Sequence, residues 1–268
     1  MNFWNNFEKD KQALISHRGL RIIRAENTIS AFEQAILKYN IVEFDVAFSY
    51  DGVPVIIHDS TLERTSNVKD LEEFKEPYNV VDYTYEQLLK LDFGSWFIEK
   101  DPYGTIKEGL VSVEELKNLG IQRILTLEEL LIFLRDNNTF ANIEIKDLSD
   151  TKFDKIAVQE IVKIVEKLEM QNKVIISSFN HNYLKQIYKI DPSIETAALQ
   201  DDHHPEDLIN YLKSLNVQNY NPNFIITDKT LVTRLNNAGF YVNVYTVNDQ
   251  EEIEKLFKWK VKSVFTDC

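Results

Sequence analysis

The run "VEFDVAFSYDGVPVIIHD" (residues 42–59) settles how the rest of the chain must be arranged. Its first five residues alternate apolar and acidic side chains, so Glu43 and Asp45 share one face of a strand. Asp51-Gly52 is a hairpin signal, and "VPVIIHD" (53–59) then returns along that strand. The helix expected after a strand of this kind comes much later, as "TLEELLIFLRD" (126–136), which opens on a capping box of Thr126 and Glu129. Residues 47–125 therefore form an insertion, too long for an ordinary connection and of the kind that carries function.

On either side of this insertion the pattern is regular. Strand candidates are "ALISH" (13–17), "VEFDV" (42–46), "NIEIK" (142–146), "VIISS" (174–178), "ETAAL" (195–199), "VQNYN" (217–221), "VNVYTV" (242–247) and "SVFTD" (263–267). Amphipathic helix candidates lie between them, including "TISAFEQAILKY" (28–39), with Thr28 as cap, and "DKIAVQEIVKIVEKLEM" (154–170). Alternating strands and helices predict a parallel sheet, and eight strands predict closure into an α/β (β/α)8 TIM barrel. The sequence stops at Cys268, directly after the eighth strand, which predicts a missing or shortened eighth helix. Segment 1–12 is a candidate cover for that gap or for the barrel floor, and 1–268 reads as one barrel domain.

Composition narrows the functional classes. A net charge of −13 and a pI of about 4.9 argue against non-specific binding to nucleic acid or an anionic membrane. The single cysteine, Cys268, excludes an intramolecular disulfide and a cysteine-based zinc site. No apolar run approaches the ~20 residues needed to span a bilayer, and the N-terminus lacks a signal-peptide pattern. A soluble, cytoplasmic protein without stable membrane insertion is the expectation.

Function in such barrels gathers at the C-terminal strand ends. Those ends carry His17-Arg18, Glu43 and Asp45, Glu144 and Lys146, Ser177-Ser178, and Tyr245. Three converging carboxylates, Glu43, Asp45 and Glu144, would repel one another unless a cation compensated them. Oxygen-only ligands select a hard ion, Mg2+ or Ca2+. The returning hairpin delivers His58 back to the mouth, so His17 and His58 can flank a bound anion, one taking a proton and the other giving one. Arg18 and Lys146 can neutralise that anion. With three carboxylates, one divalent cation and two fixed cations the balance is about +1, which suits a singly charged phosphodiester.

Each piece alone has an ordinary reading. A histidine at a strand end is most often structural, "NIEIK" alone fits an edge strand with a solvated face, and Ser177, Ser178 and Tyr245 fit a barrel rim. His181, His203 and His204 read as surface residues. The joint pattern, in order on the right strand ends, is what outweighs these readings.

Taken together, "HRG" (17–19), "ENT" (26–28), "EFDV" (43–46), "DGVPVIIHD" (51–59) with "LERT" (62–65), "LDFGSWF" (91–97), "NIEIK", "ISSFN" (176–180), "VYTVN" (244–248) and "FTD" (265–267) resemble the glycerophosphodiester phosphodiesterase family. The resemblance implies a barrel with an insertion after strand two. It also implies metal-dependent hydrolysis of a small glycerophosphodiester to glycerol 3-phosphate and an alcohol. By the same resemblance His17 and His58 are the acid/base pair, and Glu43, Asp45 and Glu144 the metal ligands. Arg18 and Lys146 are the phosphate contacts, and Tyr245 lies against the glycerol. The insertion is expected to wall the glycerol pocket, with Trp96 and Phe97 as lining. The chain departs from the family in having Ala25 where proline is usual before "ENT", and a basic "LRIIR" spacer that can bring Arg21 or Arg24 to the mouth. Two other readings stay open: a phospholipase D acting on lysophospholipids, and a catalytically silent phosphodiester-binding barrel.

Overall fold

A computed structural model describes residues 3–7 and 11–268. The expected cover by segment 1–12 can be judged only on 3–7 and 11–12, since 1, 2 and 8–10 lie outside the described residues. In chain order the elements are α1 (Phe3–Phe7), β1 (Ala13–His17), α2 (Ile29–Ala35), β2 (Ile41–Phe48) and β3 (Pro54–Ile56). The insertion then adds α3 (Tyr85–Leu88), α4 (Ser95–Lys100) and α5 (Val113–Asn118). Regular alternation resumes with α6 (Leu127–Asp136), β4 (Phe140–Ile145), α7 (Ala157–Lys167), β5 (Val174–Ser178), α8 (His181–Ile190) and β6 (Glu195–Gln200). It ends with α9 (Leu208–Leu215), β7 (Asn219–Pro222), α10 (Lys229–Asn237), β8 (Tyr241–Val244), α11 (Gln250–Lys258) and β9 (Ser263–Thr266).

Among the described residues, eight of the nine strands close on themselves. β1 pairs in parallel with both β2 and β9, and every other neighbour in the ring β2-β4-β5-β6-β7-β8-β9 is also parallel. β3 is the exception. It runs antiparallel to β2, with Val46 opposite Ile56, and is the returning arm of the hairpin. The closed α/β barrel expected from the strand count is therefore the architecture, with the long excursion after β2. Among the described residues no helix follows β9.

Local sequence accounts for the elements that matter here. Thr28 caps α2 and Thr126 caps α6, the latter with the reciprocal Glu129 contact of a capping box. The barrel wall is held by apolar side chains from strands and helices in one continuous core, which includes Val42, Phe44, Val46, Ile143, Ile176, Leu131 and Ile161. At the floor, Phe3, Trp4 and Phe7 of α1 pack with Ile15, Ile41, Phe140 and Phe265. Trp4 is fully buried and donates its indole N–H to Asn219 Oδ1 at 2.7 Å. The described part of the N-terminal segment thus plugs the end of the barrel opposite the strand C-termini.

Candidate active site

Register brings the charged residues together. His17 lies opposite Glu43, Glu43 opposite Asn142, and Asp45 opposite Glu144. Because side chains alternate along a strand, the acidic positions of β2 and β4 turn inward at the same level. One oxygen from each of Glu43, Asp45 and Glu144 lies within 4.8 Å of the others. Lys146 stands beside them, with Nζ 2.5 Å from Glu144 Oε1 and 3.5 Å from Asp45 Oδ1.

The turn after β1 is shaped for this site. Arg18 has φ +57° and Gly19 φ +78°, both left-handed. A Cβ on Gly19 would sit 2.7 Å from the Ala31 Cβ, so only glycine lets the turn pack on α2. The strained Arg18 backbone N–H then donates to Glu43 Oε2 at 3.0 Å, and its Nε reaches Asp45 Oδ2 at 3.3 Å. Asn27, also left-handed at φ +58°, donates from Nδ2 to Asp45 Oδ2 at 3.0 Å.

Electrostatics separate the three carboxyls. Burial, with Asp45 and Glu144 nearby, pushes Glu43 well above the usual carboxylate range. Burial and Asp45 likewise raise Glu144. Burial would also raise Asp45, but Arg18, then Lys146 and His58, outweigh it and hold that carboxyl well below its ordinary value. Glu43 Oε1 and Asp45 Oδ1 are buried without a hydrogen-bond partner. Orphaned carboxylate oxygens beside mutually repelling acids fit a hard divalent cation held by this donor set.

The two histidines are anchored alike. His17 Nδ1 is 2.7 Å from Asp267 Oδ1, and His58 Nδ1 is 2.6 Å from Asp59 Oδ1. Burial is the main influence that lowers the His17 pKa below its usual value. Both line a cavity of about 150 Å3 together with Arg18, Glu43, Glu144, Lys146 and an aromatic wall of Phe179, Tyr245 and Phe265. Tyr245 donates to Gln200 O at 2.8 Å, and Phe179 meets its ring edge-on at 6.2 Å. His58 and Lys146 also border a second, wider groove of about 720 Å3. Its other walls are polar, with Asp59, Thr61 and Asn79 of the insertion and Asp147 and Asp150 after β4, and apolar, with Ala47, Val80, Val81 and Leu148.

Ten residues were singled out from the sequence, and eight converge on this cavity or its edge: His17, Arg18, Glu43, Asp45, His58, Glu144, Lys146 and Tyr245. Trp96 and Phe97 do not. They are buried in a separate cluster with Ala25, Val111 and Leu116, because α4 turns its apolar face onto α5 rather than over the barrel mouth. The Arg64 guanidinium, 6.0 Å from the Trp96 ring centroid, lies at the edge of that cluster. Of the spacer arginines, Arg21 reaches the mouth, whereas Arg24 turns away to pair with Glu115. His203 is exposed as expected, but His181 and His204 are half-buried and structural. His181 bonds Tyr211 and Leu199 O, and His204 bonds Tyr220 and Ile226 O. The sequence reading assigned no role to Glu26, Asp59, Arg64, Phe179 or Asp267.

The sequence profile of the glycerophosphoryl diester phosphodiesterase family matches residues 17–268. The chain belongs to that family. A glycerophosphodiester phosphodiesterase of Bacillus altitudinis is 31% identical over 259 residues, covering 95% of this chain and 94% of that one. One from Caldanaerobacter subterraneus is 30% identical over 258 residues, covering 96% and 94%. Among solved structures, an Oleispira antarctica phosphodiesterase in complex with the product sn-glycerol-3-phosphate superposes with a TM-score of 0.80 at 24% identity, covering 97% of this chain and 94% of that one. Family membership and the shared barrel agree with the closed parallel ring described above.

Proposed function

We propose that the chain hydrolyses small glycerophosphodiesters to glycerol 3-phosphate and an alcohol, with Glu43, Asp45 and Glu144 holding one divalent cation and His17 and His58 moving the protons. The observation that carries this reading is the meeting, at one cavity, of three carboxylates, two of them with an orphaned oxygen, two carboxylate-anchored histidines and two fixed cations. A cation held there would neutralise phosphoryl oxygens and make phosphorus more electrophilic. Arg18 and Lys146 flank the same position and bind the non-bridging oxygens. Each aspartate accepts from the Nδ1–H of its histidine, which leaves Nε2 as the working nitrogen. The burial that keeps His17 neutral suits it to take the proton of the attacking oxygen. His58 then returns a proton to the leaving alcohol.

The two hollows suggest how a diester lies. The compact, aromatic-walled cavity suits the three-carbon glycerol end, with Tyr245 alongside it. The wider groove beyond His58 and Lys146, walled by apolar as well as acidic side chains, suits the leaving alcohol. On this reading residues 1–268 form one domain of the family, with 47–125 as its insertion. Among the described residues no helix is long and apolar enough to cross a membrane. The strongly acidic chain is poorly suited to an anionic lipid surface, and water-soluble diesters are the proposed substrates.

Two exposed apolar residues favour a second reading, phospholipase D action on lysophospholipids. Phe179 and Ile225 stand at the rim, 43% and 85% exposed, where an acyl chain could rest. A coupled assay for glycerol 3-phosphate across several headgroups, with and without chelator, tests both. Release from glycerophosphocholine that stops on chelation supports the first reading. Release of choline from lysophosphatidylcholine without glycerol 3-phosphate supports the second.

A further inference from the structure

Both histidines are held from behind by an aspartate, and the two aspartates are tied to one residue. Arg21 Nη1 lies 3.6 Å from Asp267 Oδ1, behind His17. Arg64 donates to both Asp59 oxygens, at 2.6 and 2.9 Å, behind His58. The far sides of both guanidiniums end on Glu26. Arg21 Nη2 is 2.9 Å from its Oε2, and Arg64 reaches Oε1 at 2.7 Å and Oε2 at 2.9 Å. Arg18 adds a third contact, Nη1 to Oε1 at 3.0 Å. The Glu26 side chain is only 3% exposed. One buried carboxylate therefore gathers three arginines. Two of them lead outward to the two imidazoles, and the third is the proposed phosphate contact beside Asp45.

A buried ion cluster of this kind is weak evidence for stability, since desolvation offsets most of the attraction. What it does supply is direction. Guanidinium forks bind carboxylates in a fixed plane, so a residue hydrogen-bonded to two of them and ion-paired with a third constrains three orientations at once. The partners also come from segments that nothing else brings together in sequence: the spacer after β1, the start of the insertion and the end of β9. Glu26 itself touches neither histidine, and no proton need pass through it. Burial opposes its charge, but the Arg64 hydrogen bonds and the charges of Arg18 and Arg21 prevail and bring its pKa to about 2, so it stays charged in use.

We propose that Glu26 is a positioning residue for catalysis, which holds both imidazoles in working orientation through Arg21–Asp267 and Arg64–Asp59 and holds Arg18 directly. The inference rests on the reading of His17 and His58 as the acid/base pair. It goes beyond that reading by placing the geometric control of both in one side chain outside the reaction cavity.

The test compares two substrates in Glu26→Gln. Glycerophosphocholine needs a proton on its leaving alcohol, whereas the 4-nitrophenyl ester of glycerol 3-phosphate does not. We expect a folded variant by circular dichroism that still gains thermal stability from added Mg2+ or Ca2+. Its kcat on the choline diester should fall about 10²-fold, with a smaller rise in KM from the loosened Arg18. The loss on the nitrophenyl ester should be about tenfold smaller, because one of the two proton transfers is no longer required. A kcat within about threefold of wild type on the choline diester would overturn the proposal. So would equal losses on both substrates accompanied by a matching rise in KM, which is the pattern of a merely structural role. Should Glu26→Gln not fold, Glu26→Asp is read in its place. It keeps the charge but is one methylene short, so a larger loss on the choline diester than on the nitrophenyl ester supports the proposal, and equal losses or none overturn it. Wild type that turns over neither diester would instead remove the functional reading on which the inference stands.

Discussion

The two ends of this barrel are built on opposite principles. At the floor, Phe3, Trp4 and Phe7 close the ring with apolar surface, and the Trp4 indole finds its partner in Asn219. At the mouth, Glu43 and Asp45 are just as buried, yet each keeps an oxygen with no hydrogen-bond partner. Burial without satisfaction costs stability, and burial with satisfaction supplies it. The floor therefore reads as the end that stabilises the fold, and the mouth as the end that spends part of that stability on the proposed cation and substrate site.

The largest effect expected from this contrast is a loss of turnover without loss of fold. His17→Ala and His58→Ala should each lower kcat by roughly 10²–10⁴-fold, the range for losing one general acid or base, with melting temperatures near wild type. Chelation should abolish activity outright and also lower the melting temperature, since an ion that binds only the folded state stabilises it by RT ln(1 + [L]/Kd). A chelated protein that remains fully active would remove the metal from the mouth. A His58→Ala variant that unfolds would make the mouth a structural end after all.

Trp4→Ala is the reverse experiment. Removing a fully buried tryptophan should cost about 3–5 kcal/mol of stability. Measured well below the new melting point, kcat and KM should stay close to wild type, because the floor lies at the opposite end of the strands from His17 and His58. Loss of activity in the folded variant would show that the plug reaches the mouth through the barrel interior.

How much of this was legible in sequence follows the same division between local and distant causes. β1 and β5 coincide with "ALISH" and "VIISS", because turn residues or glycine bound each run at its functional end. β2 and β4 start earlier than their sequence runs, since they pair with each other from Ile41 and Phe140, and β2 also runs on to Phe48 through its pairing with β3. The helix expected over 154–170 begins only at Ala157, after the turns that follow β4. The charged site residues were readable because strand alternation fixes their faces without tertiary information. Trp96 and Phe97 were misplaced because the insertion has no period from which to infer a face. Asp267 was missed although a signal existed: an eight-strand ring must set the end of the last strand beside the end of the first, 250 residues away. Glu26 and Arg64 carried no such signal, since their pairing depends on how the insertion folds back.

A smaller effect is expected from pH and from one carboxyl at the mouth. The ordinary glutamate pKa is about 4.5, and Glu43 lies well above it in the metal-free protein. The native state then holds a proton that the unfolded chain has released, so metal-free stability should fall as pH rises above about 4.5. Glu26 and Asp267, each held down to about 2, act in the other direction. Their contribution is present above their unfolded values and is lost as pH falls toward 2. Glu43→Gln should lessen the high-pH decline, leaving the share due to the likewise raised Glu144, and raise the metal-free melting temperature at neutral pH by a few degrees, the equivalent of roughly 1 kcal/mol. It should also abolish the stabilisation by Mg2+ or Ca2+. A metal-free Glu43→Gln protein that melts lower than wild type would mean the carboxylate is a net support, and the contrast between mouth and floor would fail.

The smallest effect is expected at the outer edge of the mouth, where the proposed alcohol groove opens to solvent. The glycerol end should be read closely, since a site that hydrogen-bonds a hydroxyl rejects analogues that lack it. The leaving alcohol lies instead against exposed side chains such as Asp147 and Asp150. Glycerophosphocholine, glycerophosphoethanolamine and glycerophosphoglycerol should therefore share similar kcat/KM, with bis(4-nitrophenyl) phosphate and lysophosphatidylcholine much lower. Within that set Asp150→Lys should tilt selectivity away from the cationic headgroups by about two- to fivefold, the scale of an exposed charge interaction, and the tilt should shrink in salt. If lysophosphatidylcholine proves best by about tenfold, a difference of roughly 1.4 kcal/mol in transition-state binding, then the apolar surface at the mouth outweighs the acidic rim of the groove and the lysophospholipid reading replaces the soluble-diester one.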